Sequence, residues 1–373
     1  MDNLNINQKT LLWLSSGNVS NYNISKLLDY FGSVQNLWEN FENEQLNLNF
    51  LKVETLNKLS KIKIDFEERI LEKLNSEKAQ IVTIFDNDYP SKLKQIEGAP
   101  YLLYYKGSLE DINNISIAVI GSRKATSYGK WAAEKLTKEL SDIGVNIVSG
   151  LAVGIDTIAH KTALKYNAKT YGIIGCGINI VYPKNNRELF KQIAENKGAV
   201  ITEYTFDIQP VAFNFHDRNR IISGLSEGVL VIEAQEKSGT LITAGHAANQ
   251  GREIFAVPGN IDSLYSKGTN ALIRDGAKIT VSIDDIAEEI LELKERVSLK
   301  KTFIDLGTLT DDELKIIDCL KSGKNTIYVL EQETKMETGE LLGNLTFLEM
   351  KGAIKVSADK ISLNLSFPSI SNK

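Results

Sequence analysis

Between Gln80 and Val257 short apolar runs alternate with amphipathic stretches, and this alternation organises the chain. The runs are Gln80–Phe85, Tyr101–Tyr105, Ile115–Ile120, Asn146–Ser149, Lys169–Ile174, Gly198–Glu203, Gly228–Ile232 and Glu253–Val257. Runs this short and this continuously apolar predict strands covered on both faces, as in parallel sheets. Helices are predicted over Tyr128–Asp142, Gly154–Tyr166, Asn185–Glu195, Arg218–Leu225 and Leu241–Gln250. The alternation predicts an α/β fold over 79–285, a doubly wound, Rossmann-like and mostly parallel sheet.

The flanks read differently. Residues 1–75 predict a small helical domain with helices Asn7–Leu14, Asn23–Phe31, Val34–Phe41, Val53–Leu59 and Asp65–Asn75, which reads either as a protein-contact or packing domain or as one similar to helix-hairpin-helix modules. Gly32 ends one helix and Ser33 caps the next. Residues 286–304 read as a linker, with a charged helix over Asp285–Val297. Beyond it, helices Asp311–Lys321, Tyr328–Thr334 and Thr338–Met350 precede strands Ala353–Val356 and Lys360–Leu365. That order predicts a winged helix over 305–366.

Composition narrows the function classes. A chain of 373 residues fits two or three domains. Cys176 and Cys319 lie far apart with no metal spacing, which fits a reducing compartment and predicts neither disulfide nor metal site. The N-terminus carries no signal-peptide pattern, and no apolar run approaches the roughly 18 residues needed to span a bilayer. A cytoplasmic protein without a membrane partner is expected. The net charge of −5 is unevenly placed: residues 115–285 carry 19 Lys and Arg against 17 Asp and Glu, so the acidity lies in the flanks. A local basic groove in the middle segment is compatible with this distribution.

The chemistry concentrates in loops after the predicted strands. Gly121 to Gly129 read GSRKATSYG, directly after an apolar run and before a helix. Backbone amides and the positive end of the following helix gather at such a point, so an anion is expected there, with Arg123 as its clamp. Neither GxxxxGK[ST] nor GxGxxG is present. Four more loops follow strands: Ser149–Asp156, Gly175–Asn186, Phe213–Arg220 and Glu233–Thr240. Together they bring Lys184, Arg218 and Arg220 to the edge that holds Arg123. Phe213 and Phe215 flank Asn214 at strand-like spacing, either as core residues or as a stacking surface for a base. His160 stands one helical turn after Asp156 and reads as a helix-capping or buried hydrogen-bonding residue. Asp217 reads as the ion-pair partner of the neighbouring arginines. There is no Ser/His/Asp set, paired-carboxylate motif or metal cluster, so no catalytic residue and no cofactor is expected.

The motifs GSRKATSYG, SGLAVGID, GCGINIVYPKNN, RNRIISGLS, EAQEKSGTLITA, GREIFAVPG and GTNALIRDGA follow one another in this order. In this the chain resembles the DNA-processing protein A family, also called Smf, along nearly its whole length. The resemblance implies a sterile-alpha-motif-like domain, an extended Rossmann domain and a winged helix. It also implies a homodimer that binds single-stranded DNA, protects incoming strands and loads the RecA recombinase onto them in natural transformation. Carried over motif by motif, the strand-contacting residues are Gly121, Ser122, Arg123, Lys184, Phe215, Arg218, Asn219, Arg220, Ser238 and Gly239. The family usually has Phe-Pro where this chain has Phe215-His216. The rival is a nucleotide-binding hydrolase of the lysine-decarboxylase-like class, which uses PGGxGTxxE; here that segment lacks the Pro and has Thr243 where the Glu belongs.

Overall fold

Residues 4–196, 198–302, 309–351, 353–357 and 360–363 are described by the computed structural model of the chain. They form two compact units, the first ending at Glu289 and the second beginning at Ile290.

The first unit opens with α1 (Ile6–Ser16), α2 (Asn21–Phe31), α3 (Val34–Glu44), α4 (Val53–Ile64) and α5 (Glu72–Ser76). The first three starts are fixed by side-chain caps. The Asn5 side chain accepts from the Gln8 amide at 2.9 Å, and Gln8 returns a bond to the Asn5 amide. Ser20 and Ser33 cap α2 and α3, and Gly32 ends α2 with φ 73°. The buried ring of Trp13 meets Phe41 and Trp38 edge-on at 4.8 and 5.5 Å, and its indole N–H donates to the Leu59 carbonyl at 2.8 Å. This apolar core continues into one face of the sheet through Tyr104, Cys176, Val200 and Phe206.

The rest of the unit runs β1 (Gln80–Thr83), β2 (Leu102–Gly107), β3 (Ser116–Ile120), α6 (Ser127–Ser141), β4 (Asn146–Ser149), α7 (Ile155–Lys165), β5 (Thr170–Ile173), α8 (Arg187–Glu195) and β6 (Ala199–Thr202). Then follow α9 (Ala212–Gly224), β7 (Gly228–Val231), α10 (Gly239–Asn249), β8 (Glu253–Ala256), α11 (Lys267–Arg274), β9 (Lys278–Ile279) and α12 (Ile283–Glu289). Among the described residues nine strands make one sheet in the order β1-β2-β6-β5-β4-β3-β7-β8-β9. β1 and β2 pair antiparallel and β2 pairs antiparallel with β6; every other pairing is parallel. The fold is therefore α/β, with a Rossmann-like, mostly parallel sheet. β3 to β7 are buried along their whole lengths, which is why they read as mainly apolar runs. The chain winds outward from β3 to β6 and returns beside β3 as β7. The crevice above β3 and β7 is thus a topological switch point, where sheets of this kind bind ligands.

One predicted helix is longer than its sequence pattern. Arg218–Leu225 is the second half of α9, which starts at Ala212, so Phe213 and Phe215 lie in its opening turns and not in a loop. Its N-cap, Val211, offers no side-chain bond to mark the start. The helix is set by packing instead: Asn214, Arg218, Ile221 and Ile222 are its buried stripe.

The second unit contains α13 (Leu291–Thr302), α14 (Asp311–Lys321), α15 (Ile327–Thr334), α16 (Thr338–Met350) and the antiparallel pair β10 (Ile354–Ser357) and β11 (Lys360–Leu363). Its own core holds Ile316, Ile317, Leu330, Leu341, Leu345, Leu348 and Ile361. Thr310 and Glu313 form a capping box on α14, and Lys351 donates to both Glu313 oxygens at 2.7 Å. Among the described residues no helix is long and apolar enough to cross a membrane.

Candidate functional site

At the switch point lies a cavity of about 440 Å³. Its walls are the loops after β3 and β7, the start of α7 and the first turns of α9 and α10. Gly121, Ser122, Arg123, Phe215, Arg218, Asn219, Ser238 and Gly239 all line it; Lys184 and Arg220 do not.

Close backbone approach shapes one wall. A Cβ on Gly154, whose φ is 87°, would fall 2.2 Å from the Ser122 carbonyl, and one on Gly121 would fall 2.7 Å from Ile155. The Ile155 amide donates to Ser122 O at 3.2 Å, so the loops after β3 and β4 are stitched together. Ser122 Oγ accepts from the Lys124 amide at 3.0 Å, and Arg123 and Lys124 extend into solvent at the rim.

The helix N-termini around the crevice differ in what fills them. The expected anion site at the start of α6 is already occupied. The buried Glu233 carboxylate accepts from the Thr126 amide at 3.0 Å and from the Thr126 hydroxyl. Gly129 permits this approach, because a Cβ there would lie 2.2 Å from Glu233 Cδ. At the start of α7 the buried Asp156 carboxylate accepts from the Gly150 and Ala152 amides at 3.1 and 3.4 Å. The start of α10 has no acidic residue in its first turn, and its N-cap Ser238 makes no capping bond. The Ser238 hydroxyl has no partner among the described residues, and the space around Gly239 is open. An incoming anion therefore finds free backbone donors at α10, opposite the Arg123 loop.

The arginines of α9 do not point into solvent. Arg218 is 4% exposed, and its guanidinium donates to the Gly150 carbonyl at 2.8 Å and to the Ile173 carbonyl. It ties α9 to the ends of β4 and β5. Burial pulls its pKa down to about 10, with Asp156 acting against that shift. Burial pushes Asp156 up to about 6, opposed by Arg218 and by the Ala152 and Gly150 amides. Arg220 pairs with Glu203 at 2.5 Å and with Asp217 at 3.2 Å, away from the cavity. Asp217 thus partners Arg220. Asn219 reaches the Gly239 carbonyl at 3.5 Å and is nearly buried.

Phe215 is half-buried and supplies a flat wall. Its ring centre is 5.4 Å from that of Tyr182, with the planes tilted by 34°, and the Arg123 guanidinium carbon lies 5.9 Å from it. Gly175 leaves the space it needs, since a Cβ there would fall 2.9 Å from Phe215 Cδ1. Tyr182 is half exposed and was not among the predicted contacts; an aromatic directly before Pro183-Lys184 is the only hint the sequence offers. Lys184 is exposed and follows the small recess that Tyr182 and Pro183 line together with Phe215. Phe213 projects into solvent from the start of α9 and is not a core residue. Lys237 joins Arg123 and Lys124 as a third exposed cation on the lining.

His160 lies off the cavity lining and is fully buried, with Nδ1 2.7 Å from Thr170 Oγ1. The Thr170 hydroxyl donates to the Ile147 carbonyl, so it accepts from Nδ1–H, and Nε2 has no partner among the described residues. Among the described residues no group of three or more His, Cys, Asp or Glu could hold a metal ion. The lining offers donors and flat surfaces, and its one buried carboxylate is engaged by backbone amides.

A family model described as DNA recombination-mediator protein A matches residues 80–291. The DNA processing protein DprA of Streptococcus pneumoniae is 44% identical over 207 residues, which cover 56% of this chain and 73% of that protein. The X-ray structure of DprA from the same organism superposes with a TM-score of 0.65 at 34% identity, over 77% of this chain and 98% of the other. A structure of Helicobacter pylori DNA processing protein A, described for its single-stranded-DNA binding mode, gives a TM-score of 0.52 at 32% identity, over 57% of this chain and 96% of the other.

Proposed function

The chain belongs to the DNA recombination-mediator protein A family, and from that premise we propose that it binds single-stranded DNA in the cavity above β3 and β7. The observation that carries this reading is the meeting of free backbone donors, exposed cations and an aromatic pair in one crevice. Phosphates sit between the Gly121–Ser122–Arg123 loop and the Ser238–Gly239 start of α10. An unpaired base lies against Phe215 and Tyr182, which a paired base inside a duplex cannot reach. Lys184 continues the track past Tyr182. Arg218 and Asn219 lend charge and polarity from the cavity wall, while Arg220 holds α9 in place through Glu203 and Asp217. Exchange of phosphate counterions for Arg123, Lys124 and Lys237 makes the affinity salt-dependent.

The same reading makes the protein a mediator without a catalytic step. It shields a strand in the cytoplasm and delivers it to RecA recombinase in recombination or natural transformation. It acts as a homodimer, whose two cavities raise affinity for long strands through effective concentration, and the second unit serves as a winged helix that contacts protein. Arg123→Ala should weaken single-strand binding by about 1–3 kcal/mol, and Arg123→Lys should recover part of it, because a fork becomes a point charge. Fluorescence anisotropy with labelled oligo-dT reads this directly. A folded Arg123→Ala protein that binds like wild type would remove the reading.

A further inference from the structure

Past Ser238 and Gly239 the cavity opens into a second hollow of about 540 Å³ between the first turns of α9 and α10. The two hollows share His216, Lys237, Ser238 and Gly239, so a strand leaving the first over that turn runs straight into the second. Leu241 and Ile242 give the second hollow apolar carbon surface, and Ile242 is 36% exposed. Lys237 supplies a cation and Glu236 the only carboxylate of its lining.

His216 stands at the junction and is exposed. On its own helix Asp217 and Arg220 are paired with each other, and Asp217 also accepts from the Tyr204 hydroxyl. From α10 and its lead-in come Glu236, Lys237 and His246. From the loop after β3 come Arg123 and Lys124. Asp217 is thus satisfied, and the remaining charges around the imidazole are mainly positive. That setting suits a phosphate between His216 and Lys237, with sugar and base carbon against Leu241 and Ile242.

We propose that this second hollow is a further nucleotide subsite of the single-strand path, with His216 and Lys237 as its phosphate ligands and Leu241 and Ile242 as its apolar floor. It rests on the reading of the first cavity as a single-strand site. A strand long enough to fill both hollows gains the Lys237 contact and a hydrogen bond from the His216 ring, so its affinity depends on both side chains.

The test is anisotropy with oligo-dT at constant salt, on wild type, His216→Ala, Ile242→Asp and Arg123→Ala. For a strand of about 20 nucleotides, His216→Ala should bind roughly five-fold more weakly than wild type. Ile242→Asp should bind this strand about ten-fold more weakly while leaving a strand of about four nucleotides unaffected. Unchanged long-strand affinity in His216→Ala or in Ile242→Asp overturns the subsite; if Arg123→Ala still weakens binding, the first cavity stands. Unchanged binding in Arg123→Ala removes the first cavity and the subsite with it.

Discussion

At the scale of residues, side chains that look alike in sequence divide sharply in role. Arg123, Arg218 and Arg220 all stand near strand ends in segments suited to phosphate, yet only Arg123 is free at the surface. The partners that bury Arg218, the Gly150 and Ile173 carbonyls, lie 68 and 45 residues away along the chain, and Arg220 meets Glu203 across 17. No local pattern records such distant pairings, so exposure of an arginine cannot be read from its neighbours in sequence. Of the two roles the sequence offered for His160, helix capping and buried hydrogen bonding, the structure has the second, and its burial has a consequence for stability. Its pKa is depressed to about 3 from the ordinary 6.5, first by burial and then by Arg218. The folded state therefore needs the neutral ring. The resulting stability is complete above pH 6.5 and is lost as pH falls toward 3. Each pH unit within that window costs about 1.4 kcal/mol. Asp156 acts in the opposite sense between 3.8 and about 6, because burial favours its protonated form. His160→Gln should therefore show a flatter loss of stability than wild type between about pH 6.5 and 4.5, by roughly 2–3 kcal/mol, in urea titrations at each pH. Parallel curves for the two proteins would contradict this.

At the scale of elements, what was legible followed from burial on both sides. β3 to β7 announced themselves as mainly apolar runs because helices cover both faces of the sheet. The start of α9 stayed hidden because Ala212 to Phe215 alternate like a strand and Val211 provides no cap. β9, two residues long, is too short to carry a period. The glycine loops were legible, but which helix terminus stays free for an anion was not, since Glu233 reaches α6 from the far side of the crevice. Glycines test this arrangement. Gly129→Ala should destabilise by about 1–3 kcal/mol despite the helical position, because its methyl collides with Glu233, and it should weaken strand binding by disturbing the crevice. Gly245→Ala, also helical but with open space around it, should stabilise by about 0.5–1 kcal/mol. Thermal unfolding of the two variants checks both signs, and shifts in the same direction would refute the argument.

At the scale of the whole molecule, every proposed contact lies in the first unit, which has its own continuous cores. The second unit has a separate core, and residues 303–366 carry 11 Asp and Glu against 7 Lys and Arg. A chain ended after Glu289 should therefore fold and hold single strands within about three-fold of the full chain, as electrostatic attraction to phosphate is a property of the first unit. A much larger loss in the folded truncation would show that the second unit shares the grip. The central claim is that the switch-point crevice takes unpaired bases. It is tested most directly by titrating the full-length protein against a single strand and a duplex of equal length at matched salt. The account predicts that the single strand binds at least about ten-fold tighter, the worth of one stacked base. Equal or tighter binding of the duplex would contradict it.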